Sequence, residues 1–278
     1  MTKRFIVLRA DGKAYRHLEA PTHNLCVQLK RMGHDATCVD DRGAYDLAIA
    51  IGGDGTVMHT MSAFSKRGIP TIGLNGGGVG FLTSAEVRDL EAFAVRVGQG
   101  KYEVEERRAL ELVHGERVLG PFVNDVVLKH PSSVATYALS LNGESLLPEF
   151  TADGVIVSTQ TGSSGYNIAS GGPVVLAKTP VNIVSFIQPL RISLRPLVFS
   201  HLSDGGVLTI KVTASKRYRP VSITGDGVPF GTREGFSRYG LAEGDAVDVR
   251  ASSTPALFAS FGFTSQMHAL FEKKGLAK

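Results

Sequence analysis

The chain has only two cysteines in 278 residues, Cys26 and Cys38, too few for a disulfide framework or a four-cysteine zinc site. One falls in a predicted helix and the other in a predicted strand, and a reducing cytoplasm suits them best. The N-terminal "MTKRFIVLRA" runs straight into a strand-like segment, without the longer apolar stretch and small-residue cleavage site of a signal peptide. No apolar run approaches the length that crosses a bilayer, which argues against a membrane partner. The eight histidines, at 17, 23, 34, 59, 114, 130, 201 and 268, show no metal-ligand spacing, so no protein-built metal site is assigned. Lys and Arg exceed Asp and Glu by 30 to 26 and are scattered, which favours small anionic partners and gives no sign of nucleic-acid binding. Neither an internal repeat nor a low-complexity tract is present.

What remains is an ordinary globular composition, 43% hydrophobic and 20% charged, long enough for two domains. The first hundred residues alternate short apolar runs with amphipathic ones. "RFIVLRA", "ATCVD", "DLAIAI" and "PTIGLN" read as strands, and "HNLCVQLKRMG", "TVMHTMSAFSKRG" and "EVRDLEAFAVRVGQG" as helices. That rhythm predicts a parallel sheet covered by helices. Beyond it, "RALELV", "ATYALSLNG", "GVIVST", "VNIVSFI", "GVLTIKV" and "DAVDVRA", set between Gly, Asn, Asp and Pro, predict a mostly β region. The expected division is an α/β domain at 1–101 and a β-rich domain at 102–261. A C-terminal helix at about 262–278 is expected to pack back on the first domain.

Three glycine-rich clusters carry the chemistry. In "AIGGDGTVMH" a strand-like run meets Gly52, Gly53, Asp54 and Gly55 before a helix begins. Strand-to-helix junctions of open α/β sheets bind anions, because glycine lets the backbone approach and helix N-termini present free N–H groups. A carboxylate there would be repelled by phosphate unless it bound the accompanying metal or took a proton from an attacking hydroxyl. Both roles mean phosphoryl transfer. No G-x-x-x-x-G-K-[ST] occurs, and "NGGGVG" lacks the dinucleotide fingerprint, so phosphate is held in some other way. The second cluster is Asn124–Asp125 in "PFVNDVVLKH", by itself readable as a turn. The third, "TADGVIVSTQTGSSGYNIASGGP", gathers Asp153, Thr161, Ser163, Ser164, Tyr166 and Asn167 around a strand, a set able to bond ribose hydroxyls and a base edge. Two further features read as structural: "GDG" at 225–227 as a hairpin turn, and the basic "KRYR" at 216–219 as a solvated strand end.

Taken together, "GGDGT", "NGGGVGFLT", "NDVVL", "ADGVIVSTQTGSSGY" and "SGGP" resemble the NAD kinase family in order and near-spacing over about positions 45–200. "GGDGT" alone is shared with diacylglycerol, sphingosine and phosphofructokinases; the ADG-to-SGGP block sets NAD kinases apart. The resemblance implies an α/β domain followed by a β domain. It also implies transfer of a phosphoryl group, with a divalent metal (Mg or Mn), from ATP or polyphosphate to the 2′-hydroxyl of the adenosine ribose of NAD, and assembly as a homodimer or homotetramer. By motif, Asp54 is similar to the family's catalytic aspartate, and Gly52, Gly53 and Gly55 to its phosphate-binding residues. Asn124 and Asp125 resemble the pair that grips NAD, the acidic side chain on ribose hydroxyls. Asp153 resembles an aspartate that approaches NAD. Thr161, Ser164, Gly165, Tyr166, Asn167 and Ala169 fall where the family surrounds the adenosine, and Phe81 where an aromatic packs near the same ligand.

The chain departs from the family pattern at Gly78 and Val79, where a bulkier pair is frequent, at Gln160, usually proline, and at Gly165, usually alanine. The segment "GDGVPFGTREGFSRYGL" is longer than the family's usual turn. Two other readings stay open at this level: a related kinase with a lipid or other hydroxyl acceptor, and a nucleotide-binding sensor without turnover.

Overall fold

The computed structural model describes residues 1–78, 80–176, 179–200, 202, 205–215, 220–229 and 240–262. The helix expected at 262–278, the basic cluster at 216–219 and most of the long segment after Gly227 lie outside the described residues. The chain forms two compact units, one of Met1–Glu106 together with the chain from Ala256 on, the other of Arg107–Pro255.

In the first unit β1 (Arg4–Arg9), β2 (Asp35–Thr37), β3 (Leu47–Gly52) and β4 (Thr71–Asn75) pair parallel in the order β2-β1-β3-β4. β5 (Ala85–Glu86) pairs with β4, and β6 (Glu103–Arg107) lies at the far edge. A strand from much later in the chain, Ala256–Ser260, enters the sheet between β4 and β6, parallel to β4. β3 is buried at all six residues, which is why "LAIAIG" is a continuous apolar run: strands of a sheet covered on both faces do not alternate. The helices α1 (Glu19–Arg31) and α3 (Leu90–Gly98) bury Leu25, Leu29, Phe93 and Val97 with Ile49, Ile51 and Leu74 of the sheet, and α2 (Asp54–Ser65) buries Val57, Met61 and Phe64. Each such side chain contributes about 1.5–3 kcal/mol by leaving water. No described helix is long and apolar enough to cross a membrane.

Two details differ from the sequence reading. α1 begins at Glu19, preceded by a 3-10 turn at Lys13–Leu18, and the strand expected through Asp40 ends at Thr37. Cys38 therefore lies just beyond β2, its sulfur 2.8 Å from that of Cys26. Both are free thiols, and burial, with Cys38 adding to it, pushes the Cys26 thiol up to about 12. That keeps it protonated and unreactive.

The second unit is a pair of antiparallel sheets around one core. One sheet contains β7 (Leu110–His114), β8 (Arg117–Phe122), β10 (Ala135–Leu141), β11 (Glu144–Ala152), β15 (Val207–Ala214) and β19 (Ala246–Ala251), in the order β11-β10-β15-β19-β7-β8. The other contains β9 (Asp125–Lys129), β12 (Gly154–Thr159), β13 (Val181–Ile187), β14 (Leu197–Ser200), β16 (Val221–Gly225) and β17 (Val228–Pro229), in the order β14-β13-β12-β9-β16-β17, with β18 (Gly240–Leu241) paired to β16. Alternate residues face inward, among them Val126 and Leu128 of β9, Val155 and Val157 of β12, and Tyr137, Phe150 and Phe186. Phe150 stacks on Tyr137 at 5.7 Å and meets Phe186 edge-on at 4.9 Å, which fixes how the two sheets interlock. The strand Ala256–Ser260 lies outside this unit, although it falls within the β-rich stretch 102–261.

Candidate functional site

The first cluster is built by the end of β3 and the start of α2. Gly53 caps the helix with extended backbone, and Asp54 is its first residue. One carboxylate oxygen of Asp54 accepts the Leu82 N–H at 2.7 Å, so a charge set among free helix-end donors is supported by the helix dipole and by a fixed hydrogen bond. Two of these glycines allow a close approach rather than an unusual φ. A Cβ on Gly52 would lie 2.4 Å from Thr56 Oγ1, and one on Gly53 would touch the Gly77 carbonyl at 3.3 Å. The "GGDG" and "NGGG" turns are thus packed backbone to backbone. Gly55 is exposed and meets nothing.

The second turn is held by Asn75, whose amide donates to Gly78 O at 3.3 Å and to both oxygens of Glu86, while its carbonyl takes the Gly77 N–H at 3.2 Å. Gly78 has φ +102°, a backbone that side chains rarely adopt, which accounts for glycine at this departure from the family pattern. Beside the turn an open groove of about 470 Å³ is lined by Asn75 to Gly78 with Glu86, Val87 and Arg88. Phe81 is half-buried next to Leu82, whereas His59 is exposed on α2.

In the second unit the structure brings Asn124, Asp125, Thr161, Ser164 and Gly165 together. The Asn124 carbonyl accepts the Thr159 N–H at 2.8 Å, and Thr159 Oγ1 donates to Val123 O at 2.6 Å and accepts the Gly162 N–H at 3.1 Å. A Cβ on Gly162 would lie 2.1 Å from the Asn124 carbonyl oxygen. Only glycine lets the 3-10 turn Thr161–Ser164 lie directly on the Asn124 backbone. The point where a Gly165 Cβ would sit is 3.5 Å from Asn124 Nδ2 and 3.9 Å from Asp125 Oδ2, with Gly162 O at 3.2 Å. Alanine, the family's usual residue, would nearly fit. Gln160 has φ −58°, which proline also adopts.

The polar groups of this corner are left without partners. Asn124 Oδ1 and Thr161 Oγ1 are buried and unbonded. Among the described residues nothing donates to the carboxylate of Asp125, which is 5% exposed. Burial first, and the nearby Asp226 second, push that carboxyl up to about 7. Buried polar atoms with no partner are rare and costly in a folded protein, so two in one corner, beside a buried carboxylate, make it the candidate binding corner.

Three residues grouped by sequence behave differently. Asn167 is fully buried, and its amide donates to Ser163 O and Pro173 O at 2.8 and 2.9 Å while accepting the Ser185 hydroxyl at 2.6 Å. Its side chain is fully engaged in clamping the loop. A Cβ on Gly172 would land 1.9 Å from its Oδ1, which explains the second glycine of "SGGP"; the first, Gly171, has φ +77°. Tyr166 and Ala169, on the short helix α4 (Tyr166–Ala169), are exposed, with the Tyr166 hydroxyl 3.5 Å from Lys129 Nζ. Asp153 lies at the other end of β12. β12 pairs Ser158 with Asp125 and Gly154 with Lys129, so at about 3.4 Å per residue Asp153 is roughly 17 Å from the corner. It sits there with Tyr137, whose hydroxyl bonds the Asp153 carbonyl at 3.3 Å and whose titration is pushed upward by burial and by Asp153. The "GDG" at 225–227 is the hairpin turn expected, but its link to the corner escaped the sequence reading: the Asp226 carboxylate accepts the N–H groups of Val123, Asn124 and Asp125.

Solved structures share this architecture. An NAD kinase from Archaeoglobus fulgidus in complex with ATP superposes with a TM-score of 0.75 at 23% identity, covering 97% of this chain and 98% of its own. Yeast NADH kinase complexed with NADH gives 0.80 at 19% identity over 98% of this chain and 88% of its own. The fold is thus that of the NAD and NADH kinases. In sequence, residues 9–102 match the family described as ATP-NAD kinase N-terminal domain and residues 123–260 its C-terminal domain. The NAD kinase of Nitratidesulfovibrio vulgaris is 32% identical over 98% of this chain and 96% of its own length. That of Methanothermobacter thermautotrophicus is 35% identical over 63% of this chain, and the matched part spans 61% of that relative. The chain belongs to the NAD kinase family.

Proposed function

We propose that this chain is a cytoplasmic NAD kinase, transferring a phosphoryl group from ATP or polyphosphate to the 2′-hydroxyl of the adenosine ribose of NAD to give NADP. The observation that carries the reading is the unpartnered corner of Asn124 Oδ1, Asp125 and Thr161 Oγ1. A ribose offers hydroxyl donors to just such acceptors, and each charge-assisted bond would contribute about 1.5–3 kcal/mol. Ser164, Gly165 and the exposed ring of Tyr166 border the same corner and would receive the adenine. Any contact of Asp153 with NAD is with a part remote from the one held at Asn124.

Asp54 is the base. Its carboxylate takes the proton of the 2′-hydroxyl as that oxygen bonds to the terminal phosphorus and the bridging P–O bond of the donor breaks, releasing ADP when ATP is the donor. Gly52, Gly53 and Gly55 present backbone N–H groups to the transferring phosphate. Magnesium would arrive with the donor's phosphates and need only one or two protein carboxylates. Asp54, with one oxygen not engaged by Leu82, is the residue that would hold it. When bound, the metal neutralises charge on the donor's phosphates.

The test is incubation with ATP, magnesium and NAD, with NADP read out by an NADP-specific dehydrogenase. Production of NADP is expected, and none from either donor with NAD or NADH would overturn the reading. Assembly as a homodimer or homotetramer belongs to the same proposal, checked by sedimentation equilibrium.

A further inference from the structure

We infer that Asp226, in the "GDG" turn, is the positioning residue that builds the Asn124–Asp125 corner, so that NAD affinity depends on a side chain reaching back about a hundred residues in sequence. The inference rests on the reading of that corner as the NAD-ribose site.

The turn itself does not need it. Asp226 and Gly227 have φ +51° and +73°, and they join β16 to β17 as a two-residue hairpin in which asparagine or glycine would serve equally well. Yet Asp226 is 4% exposed, and an aspartate is buried only where its charge is met. It is met by three backbone donors from one corner: Val123 N–H on Oδ2 at 2.9 Å, and Asn124 and Asp125 N–H on Oδ1 at 2.7 and 3.3 Å. The Asp226 N–H completes the contact by donating to Asp125 O at 3.0 Å. Glycine at 225 lets the turn approach, since a Cβ there would lie 2.4 Å from the Phe122 ring. Three converging N–H groups held by one carboxylate fix the backbone of 123–125. That backbone in turn carries the Asn124 carbonyl on which Thr159 and the 161–164 turn rest. One residue therefore sets both the direction of the Asn124 and Asp125 side chains and the seat of the neighbouring loop.

Asp226 leaves a second trace. Its charge, after burial, holds the Asp125 carboxyl near 7. The facing residues of β12, Ser158 and Thr159, and the turn Thr161–Ser164 bring no ionisable group. Removing the charge of Asp226 therefore lowers the titration of Asp125, while the split between a raised NAD requirement and an unchanged ATP KM and kcat separates this local role from a general loss of structure.

The experiment compares the full-length protein with Asp226→Asn. NAD affinity is measured by calorimetry from pH 5.5 to 8.5, together with KM for ATP and kcat. The expected result is NAD binding weaker by about 10-fold, ATP KM within twofold, kcat at saturating NAD within threefold, and a pH midpoint of NAD binding moved below that of the parent. Unchanged NAD affinity and midpoint would overturn the inference while leaving the kinase reading intact; a parent that binds NAD but makes no NADP would sink that reading and leave this comparison standing. Should Asp226→Asn not fold, amide exchange in the parent decides. The Val123, Asn124 and Asp125 N–H groups are expected to be protected at least about 100-fold, and exchange near the unfolded rate would refute the contact.

Discussion

Asp54 and Asp125 are the central carboxylates of the two units, and their surroundings are opposites. Asp54 stands at the N-terminus of a twelve-residue helix and has a backbone N–H on one oxygen. Asp125 is buried with no donor and with a second carboxylate nearby, and titrates at about 7. In the proposed reaction the first takes the proton, and the second gains its hydrogen bonds from the bound ribose. The contrast teaches that two motif aspartates can differ in whether the fold supplies a hydrogen-bond donor, and that strand and turn geometry decides which.

The sharpest way to break this comparison is Asp54→Asn. Turnover should fall at least about 10²-fold while NAD affinity measured by calorimetry stays within a few-fold; near-normal turnover would remove Asp54 from the role of base. Next comes Gly162→Ala, whose Cβ meets a backbone carbonyl at 2.1 Å. A loss of about 2–3 kcal/mol in urea unfolding is expected, with weaker NAD binding. Asp125→Asn separates stability from binding. Because the folded carboxyl titrates at about 7 rather than 3.8, the parent's stability is full below about pH 4, falls as pH rises, and reaches its lowest contribution above 7. The variant should therefore be more stable than the unliganded parent by on the order of 2 kcal/mol at pH 8, with the gap closing toward pH 4, yet bind NAD more weakly. Thermal melts across that range test the sign. The smallest effect is Gln160→Pro: with φ already −58°, it should be neutral or stabilising by about 0.4–1 kcal/mol.

The α/β rhythm of the first unit was legible because its strands are buried on both faces and its helices carry clean apolar stripes. β11 was not, since most of its nine residues face outward and only Phe150 and Ala152 are buried, which leaves no alternation to detect. The unpartnered corner was half legible. Asn124, Asp125 and Thr161 stand in recognisable motifs, but that Asp226 organises them could not be read, because a hairpin signal is local and its contact is made about a hundred residues away. Asn167 shows the converse. An amide in a loop rich in hydroxyls reads as ligand-facing, and burial turned it into an internal clamp.

The strand Ala256–Ser260 has a consequence for how the molecule is made. It lies between β4 and β6, so the first sheet stays split until Ala256–Ser260 has been made, whereas residues 107–255 form a contiguous unit free to fold earlier. The unit begun first is thus completed after the second, with the β4 edge at Thr71 and Ile72, beyond its pairing with β5, open during synthesis. A chain stopped before Ala256 should aggregate through that edge, even though every residue of both site clusters has been made.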